Sequence, residues 1–243
     1  MKMHFSVFQM VSFLQNLEVI TALSHIGINL NDLNGLWDME NIPLNITEKI
    51  SVYDAEQKIN QEKALHSEEK FQYLRAWPIE QEAGQLLYIL IRYFKPLSVL
   101  ECGTSFAAST IFLAAALQKN QRGAIVTVEV SKLKHAIAEQ NLIAAGVGDI
   151  VSRKEIAVDQ YLKQVSAPFD FVFLDCDRSR YPSYFEALLP HLYPQAIIAV
   201  DNAIDFHADI KALITCFEKH GWKYSIVPIG DGLLVAQKLK TSS

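Results

Sequence analysis

The chain predicts a doubly wound α/β fold on three observations. Strand-length apolar runs alternate with helical stretches after Pro78, four of those runs end in an acid, and two final runs are split by Gly230, Asp231 and Gly232. Strands separated by helices pair in parallel, whereas two runs joined by a short glycine turn suit an antiparallel hairpin. Ligands of such sheets sit at the carboxyl ends of the strands, so the chemistry is sought there.

In chain order, GQLLYILIRYF reads as a helix, residues 97–100 as a short strand, ASTIFLAAAL as a helix and residues 124–130 as a strand. A helix through KHAIAEQNLIAAG, a short strand near Ile150 and a helix near DQYLKQV follow, and FDFVFLD is a buried strand ending in an acid. YFEALLPHL is helical, AIIAV leads to Asp201, and residues 208–220 form another helix. KYSIVPI and GLLVAQK bring the strands to seven.

This domain is assigned to residues 73–243, behind a helical extension at 1–72. Val7, Met10, Val11, Leu14 and Leu17 recur at helical spacing, and Phe13, Ile20 and Leu23 widen the stripe. Such an amphipathic helix packs on the main domain, contacts a second copy or covers a substrate pocket. NLNDLNG then reads as a loop, and EQKINQEKALHSEEKFQ as an exposed helix.

With 243 residues, half of them hydrophobic, the chain can bury one sizeable core. Its net charge of -5, with no basic stripe, argues against a nucleic-acid partner. Gln9, Gln15, Asn16 and Glu18 interrupt the first apolar segment, and no run reaches the ~20 residues that span a bilayer, so no membrane partner is expected. Cys102, Cys176 and Cys216 are odd in number and lack zinc-type spacing, which fits a reducing cytoplasm.

The four strand-end acids are Glu101, Glu129, Asp175 and Asp201. Any one of them is an ordinary solvated residue or cap; together they outline a site. Gly103 lets the first βα turn bend tightly and brings amides at a helix N-terminus near a ligand. The turn lacks a full G-x-G-x-x-G, and Ala107 stands where a second glycine of the turn is expected, which disfavours a nicotinamide dehydrogenase. Glu129, 26 positions beyond Gly103, can accept hydrogen bonds from both hydroxyls of a ribose. A nucleoside ligand without pyrophosphate fits, and S-adenosylmethionine is one. Asp175, Asp201 and Asn202 offer three hard oxygen donors at neighbouring strand ends, a set suited to Mg²⁺, Ca²⁺ or Mn²⁺.

These motifs resemble the class I S-adenosylmethionine-dependent O-methyltransferases of the catechol and caffeoyl-CoA type, with their Rossmann-like seven-stranded sheet. The resemblance runs from Trp77 to Lys238 through PIEQEAGQLL, VLECGTSFAAS, TVEV, FVFLDCDRSRYPSYFEALLPHL, VDNA and PIGDGLLVAQK. It implies that Glu101, Gly103, Ser105 and Ser109 surround the methionine part of the cofactor, with Asp175 alongside. It also implies that Glu129 holds the ribose, that Ala157 and Val158 border the adenine, and that Asp175, Asp201 and Asn202 bind a divalent metal, commonly Mg²⁺. The acceptor is then a small molecule with neighbouring hydroxyls, and the enzyme a homodimer.

The sequence departs from that family in Ala107, in Gln195-Ala196 before the fifth strand, and in Arg178. Arg178 stands three residues after Asp175, where the family has a lysine assigned as general base; similar bacterial sequences carry an acid-arginine pair like Asp177-Arg178. A guanidinium stays protonated, so the proton falls to water or Asp177, with Arg178 supplying positive charge or binding a substrate anion. His207, Trp37, Trp77 and Trp222 are expected to be surface or packing residues, and Tyr181 either lines the pocket or anchors the helix after it. Two alternatives remain open: a metal-independent methyltransferase on another atom, and a noncatalytic cofactor-binding protein.

Overall fold

A computed structural model of the chain describes residues 16–33, 35–36 and 78–238. Most of the predicted N-terminal stripe, the helix expected at 56–72, and Trp37 and Trp77 lie outside these residues.

The apolar runs become strands β1 (Ser98–Cys102), β2 (Ala124–Glu129), β3 (Val151–Glu155), β4 (Phe169–Leu174) and β5 (Leu192–Val200). The closing hairpin is β6 (Lys223–Val227) and β7 (Leu233–Gln237). They form one sheet in the order β3-β2-β1-β4-β5-β7-β6. The first five run parallel, and β7 lies antiparallel between β5 and β6. The order reverses between β1 and β4, so the crevice of a doubly wound sheet opens at their carboxyl ends.

The helices are α1 (Leu17–His25), α2 (Leu30–Leu33), α3 (Gln81–Phe94), α4 (Ala108–Asn120), α5 (Lys132–Ala144), α6 (Val158–Leu162), α7 (Tyr181–Leu188) and α8 (His207–Lys219). Period-two alternation divides the core between the two sheet faces. Val99, Phe171, Phe173, Ile197 and Val235 face the cluster that α1, α3 and α4 cover. Leu100, Val172, Leu174, Ile198 and Leu234 face the cluster under α6, α7 and α8. Gly84 sets the approach of α3 to α4, since a Cβ there would stand 2.5 Å from the Phe112 ring.

Several boundaries differ from the sequence reading. β1 continues through Glu101 and Cys102, because hydroxyl groups satisfy the buried Glu101 carboxylate and the ladder to β2 and β4 persists. β5 begins at Leu192, earlier than the apolar run, and the stretch after α7 tightens into a 3₁₀ turn at Leu189–His191. The expected loop after Gly27 contains α2, where the Asn29 side chain caps the Asn31 amide. In α1, Val19, Ala22 and Leu23 are buried while Leu17 is 75% exposed, so the buried stripe excludes Leu17. α1 packs against β6.

The C-cap of α3, Lys95, is exposed and left-handed, at φ 49°. Glycine takes that conformation without a Cβ penalty, so Lys95→Gly is expected to raise stability by roughly 0.5–1 kcal/mol in chemical denaturation.

Candidate functional site

The end of β1 buries a carboxylate. Glu101 shares the face of Val99, under α4, and is fully buried. It accepts hydrogen bonds from Ser109 Oγ at 2.6 Å and from the Oγ1 atoms of Thr110 and Thr127 at 2.5 Å. Burial pushes its carboxyl up to about 7 despite these three donors. The folded chain therefore holds this proton more tightly than the unfolded chain, and stability falls as pH rises from about 4.5 to about 7. The loss is on the order of 3 kcal/mol. Thermal melts across that window should show the decline, to which the raised Asp175 and Asp201 carboxyls also contribute, and Glu101→Gln should make it shallower; an equal slope in both proteins would contradict this origin.

Beyond β1 the chain makes a turn of unusual geometry. Gly103, Ser105 and Ala107 all have positive φ, at 107°, 46° and 70°. Gly103 is required, because a Cβ would sit 1.9 Å from the Asp175 carbonyl oxygen. Ser105 and Ala107 carry left-handed strain that glycine would avoid, and such strain gathers at ligand sites. The turn is tied down by Gly103 N–H and Thr104 N–H donating to Val128 O, and by Ser105 N–H donating to Glu129 Oε2 at 2.9 Å. Ser131 N–H donates to Glu129 Oε1 at 2.8 Å, so two amides orient the acid at the end of β2.

Two features of this turn suit a polar ligand such as S-adenosylmethionine. Ser105 Oγ is buried with no hydrogen-bond partner among the described residues. Ala107, the N-cap of α4, supplies no side-chain cap, so first-turn amides remain donors. Across β2, Ala157 is the N-cap of α6 and Val158 is its buried first residue.

Asp175 and Asp201 follow β4 and β5 directly. Asp175 N–H donates to Cys102 O at 2.9 Å and Asp201 N–H to Leu174 O at 3.2 Å, which carries both ladders one residue past the strands. Asn202 takes a left-handed φ of 58°. Burial, then repulsion from Asp201 and Glu101, raises the Asp175 carboxyl. Asp201 is raised by burial and by Asp231 and Glu80, against the Asn202 amide and Arg178. Arg178 donates to Asn202 Oδ1 at 3.0 Å and stacks 3.7 Å from the Phe206 ring centroid. No group of three or more His, Cys, Asp or Glu forms a metal cluster among the described residues. The set is instead two carboxylates and an amide oxygen, with Glu80 and Asp231 nearby, and the negative charge exceeds what Arg178 offsets. Hard donors with that deficit fit a divalent cation.

The remaining predicted residues fall outside this rim or on its edge. Asp177 is exposed and caps a 3₁₀ turn, accepting from Ser179 N–H at 3.2 Å and Ser179 Oγ at 2.6 Å. Tyr181 is buried, and its hydroxyl accepts from Cys176 N–H at 3.0 Å, so it anchors α7. His207 is exposed at the start of α8, and Trp222 packs on Phe185 and Phe217. Sequence reasoning missed Thr110, Thr127, Phe206, Glu80 and Asp231 as members of the region. In the sequence Asp231 is only a turn residue and Glu80 only part of a helix approach; their convergence on Asp201 depends on tertiary contacts.

A family model described as O-methyltransferase matches residues 48–212. The chain belongs to the O-methyltransferase family. The catechol O-methyltransferase of Niastella koreensis is 33% identical over 130 residues, covering 52% of this chain and 58% of that relative. The one from Mycobacterium tuberculosis is 32% identical over 130 residues, covering 52% and 57%. The matches thus span somewhat over half the length of these two relatives. Among solved structures, the O-methyltransferase TomG from Streptomyces achromogenes, involved in tomaymycin synthesis and in complex with SAM, has a TM-score of 0.56 at 27% identity. That match covers 67% of this chain and 82% of TomG. The Bacillus cereus O-methyltransferase in complex with SAH has a TM-score of 0.59 at 24% identity, over 75% of this chain and 90% of that one, and bears on the fold alone. The sheet order and terminal hairpin of this O-methyltransferase family member are those of the class I fold.

Proposed function

We propose that the chain is a cytoplasmic S-adenosylmethionine-dependent O-methyltransferase that uses a divalent cation, such as Mg²⁺, to act on a small catechol-like acceptor. One observation carries the reading. The acids near the end of β1, at the end of β2 and directly after β4 and β5 gather at one rim of the sheet, with a strained glycine turn between them. The names of the matched relatives, two of them catechol O-methyltransferases, and the SAM complex of TomG support it. No described helix is long and apolar enough to cross a membrane.

In this reading Glu129, already oriented by two amides, accepts from the ribose hydroxyls. Gly103 and Ser105 border the methionine moiety, whose ammonium faces the Glu101 side of the turn, while Ser109 keeps the Glu101 carboxylate in place. Ala157 and Val158 border the adenine. The cofactor supplies an electrophilic methyl on a sulfonium. Asp175, Asp201 and Asn202 would hold a cation, whose chemistry is to lower the pKa of a bound hydroxyl. Arg178 cannot accept the proton; it adds positive charge beside the acceptor, and exposed Asp177 or water takes the proton. Homodimerisation through the N-terminal helix belongs to the same proposal.

One observation favours a metal-independent alternative: Arg178 already engages the Asn202 oxygen that a cation would take. Methyl transfer from labelled S-adenosylmethionine to catechols, measured with Mg²⁺ and with EDTA, separates the two. Turnover that needs Mg²⁺ supports the proposal, turnover unaffected by EDTA moves it to the alternative, and no turnover across a broad acceptor panel contradicts the enzyme reading.

A further inference from the structure

Arg178 is held more firmly than the supply of positive charge requires. Proximity would suffice for that task, yet two contacts fix the guanidinium. Its Nη2 donates to Asn202 Oδ1 at 3.0 Å, and its central carbon lies 3.7 Å from the Phe206 ring centroid. Asn202 is itself oriented, because Nδ2 at the other end of its amide donates to Asp231 Oδ2 at 3.5 Å. A guanidinium carries five N–H donors in a planar fork. Stacking covers one face and Asn202 takes one donor, so an edge of the fork stays open. No carboxylate of the described residues forms a salt bridge with it, although four acids gather at this rim.

The platform beneath the guanidinium is equally fixed. Ala203 N–H donates to Gly232 O and Ile204 N–H to Asp231 O, both at 2.8 Å, which pins the segment after β5 to the hairpin turn. Ile204 lies so close over that turn that a Cβ at Gly232 would stand 2.5 Å from Ile204 Cγ1. Phe206 N–H donates back to Asn202 O at 3.1 Å. Ile204 and Phe206 nevertheless remain 47% and 40% exposed. Exposed apolar side chains on a pinned segment, beside a half-buried cation with an open edge, suit an aromatic ring that carries an anion.

We infer that Arg178 and Phe206 select a catechol-like acceptor bearing a carboxylate, which the open edge of the Arg178 fork binds through two hydrogen bonds. The inference rests on the acceptor and metal assignment proposed above and names the substituent that the site prefers. With Asp175 and Asp201 matched by a divalent cation, Arg178 is the unpaired charge on the acceptor side, while Asp231 stands at the far end of the Asn202 amide. A carboxylate in the guanidinium plane gains charge-assisted bonds that an uncharged amide does not match.

The test is calorimetric titration of protocatechuate, a catechol carrying a carboxylate, and of its uncharged amide. Both are titrated into the full chain with Mg²⁺ and S-adenosylhomocysteine, the demethylated cofactor, as wild type, Arg178→Met and Arg178→Lys. Wild type is expected to bind the carboxylate about tenfold more tightly than the amide, and Arg178→Met to bring the two to similar affinity. Arg178→Lys should keep a smaller preference, since an ammonium retains the charge and loses the fork. Wild type that binds the amide as tightly, or a preference that survives undiminished in either variant, overturns the inference. Wild type that binds neither catechol overturns the acceptor assignment itself, and the inference with it.

Discussion

Gly103→Ala is expected to abolish cofactor binding and to lower stability by about 3 kcal/mol or more. Position 103 has a φ of 107°, and the added methyl would lie 1.9 Å from the carbonyl oxygen of Asp175. Neither backbone can easily retreat. Asp175 N–H is bonded to Cys102 O, and Gly103 N–H to Val128 O, so relief on one side breaks a ladder on the other. The displaced segment also carries Ser105, whose amide orients Glu129. Thermal melts and calorimetry with S-adenosylmethionine check both halves of the prediction. A variant that melts and binds like wild type would show that the turn does not form the site.

Asp201→Ala is expected to separate stability from function. Asp201 is buried, and the charges of Asp231 and Glu80 raise its carboxyl further, so its removal relieves repulsion. Without metal the variant should melt no lower than wild type. Turnover and the stabilisation conferred by Mg²⁺ should both fall by about 100-fold or more in rate or apparent affinity, because one of three donors is gone. A variant that melts well below wild type in EDTA yet keeps its Mg²⁺ response would show that Asp201 serves the fold rather than a cation.

The sheet was legible because its evidence is local. Apolar runs such as FVFL and IIAV are buried on both faces and read as parallel strands whatever surrounds them. The strand-end acids were legible for the same reason, each being a polar residue at the exit of such a run. What the sequence could not display was cross-strand chemistry. Glu101 belongs to β1 because hydroxyls from α4 and β2 satisfy it, and no local pattern signals Thr110 or Thr127 as its partners. Arg178 stands out in the sequence as a departure, but its stacking on Phe206 and bond to Asn202 depend on how the loops after β4 and β5 meet. The insertion of β7 between β5 and β6 was likewise hidden, since a hairpin pattern fixes pairing within itself and not which strand joins the sheet.

The central claim is that the rim binds S-adenosylmethionine and, beside it, a metal-held acceptor. Isothermal calorimetry of S-adenosylmethionine and a simple catechol, with and without Mg²⁺, on wild type and Asp175→Ala, tests it most directly. The account predicts that wild type binds the cofactor, and binds the catechol only when Mg²⁺ is present and Asp175 is intact. Cofactor binding with catechol affinity indifferent to Mg²⁺ would contradict the metal assignment, and a wild-type chain that binds no S-adenosylmethionine would contradict the account as a whole.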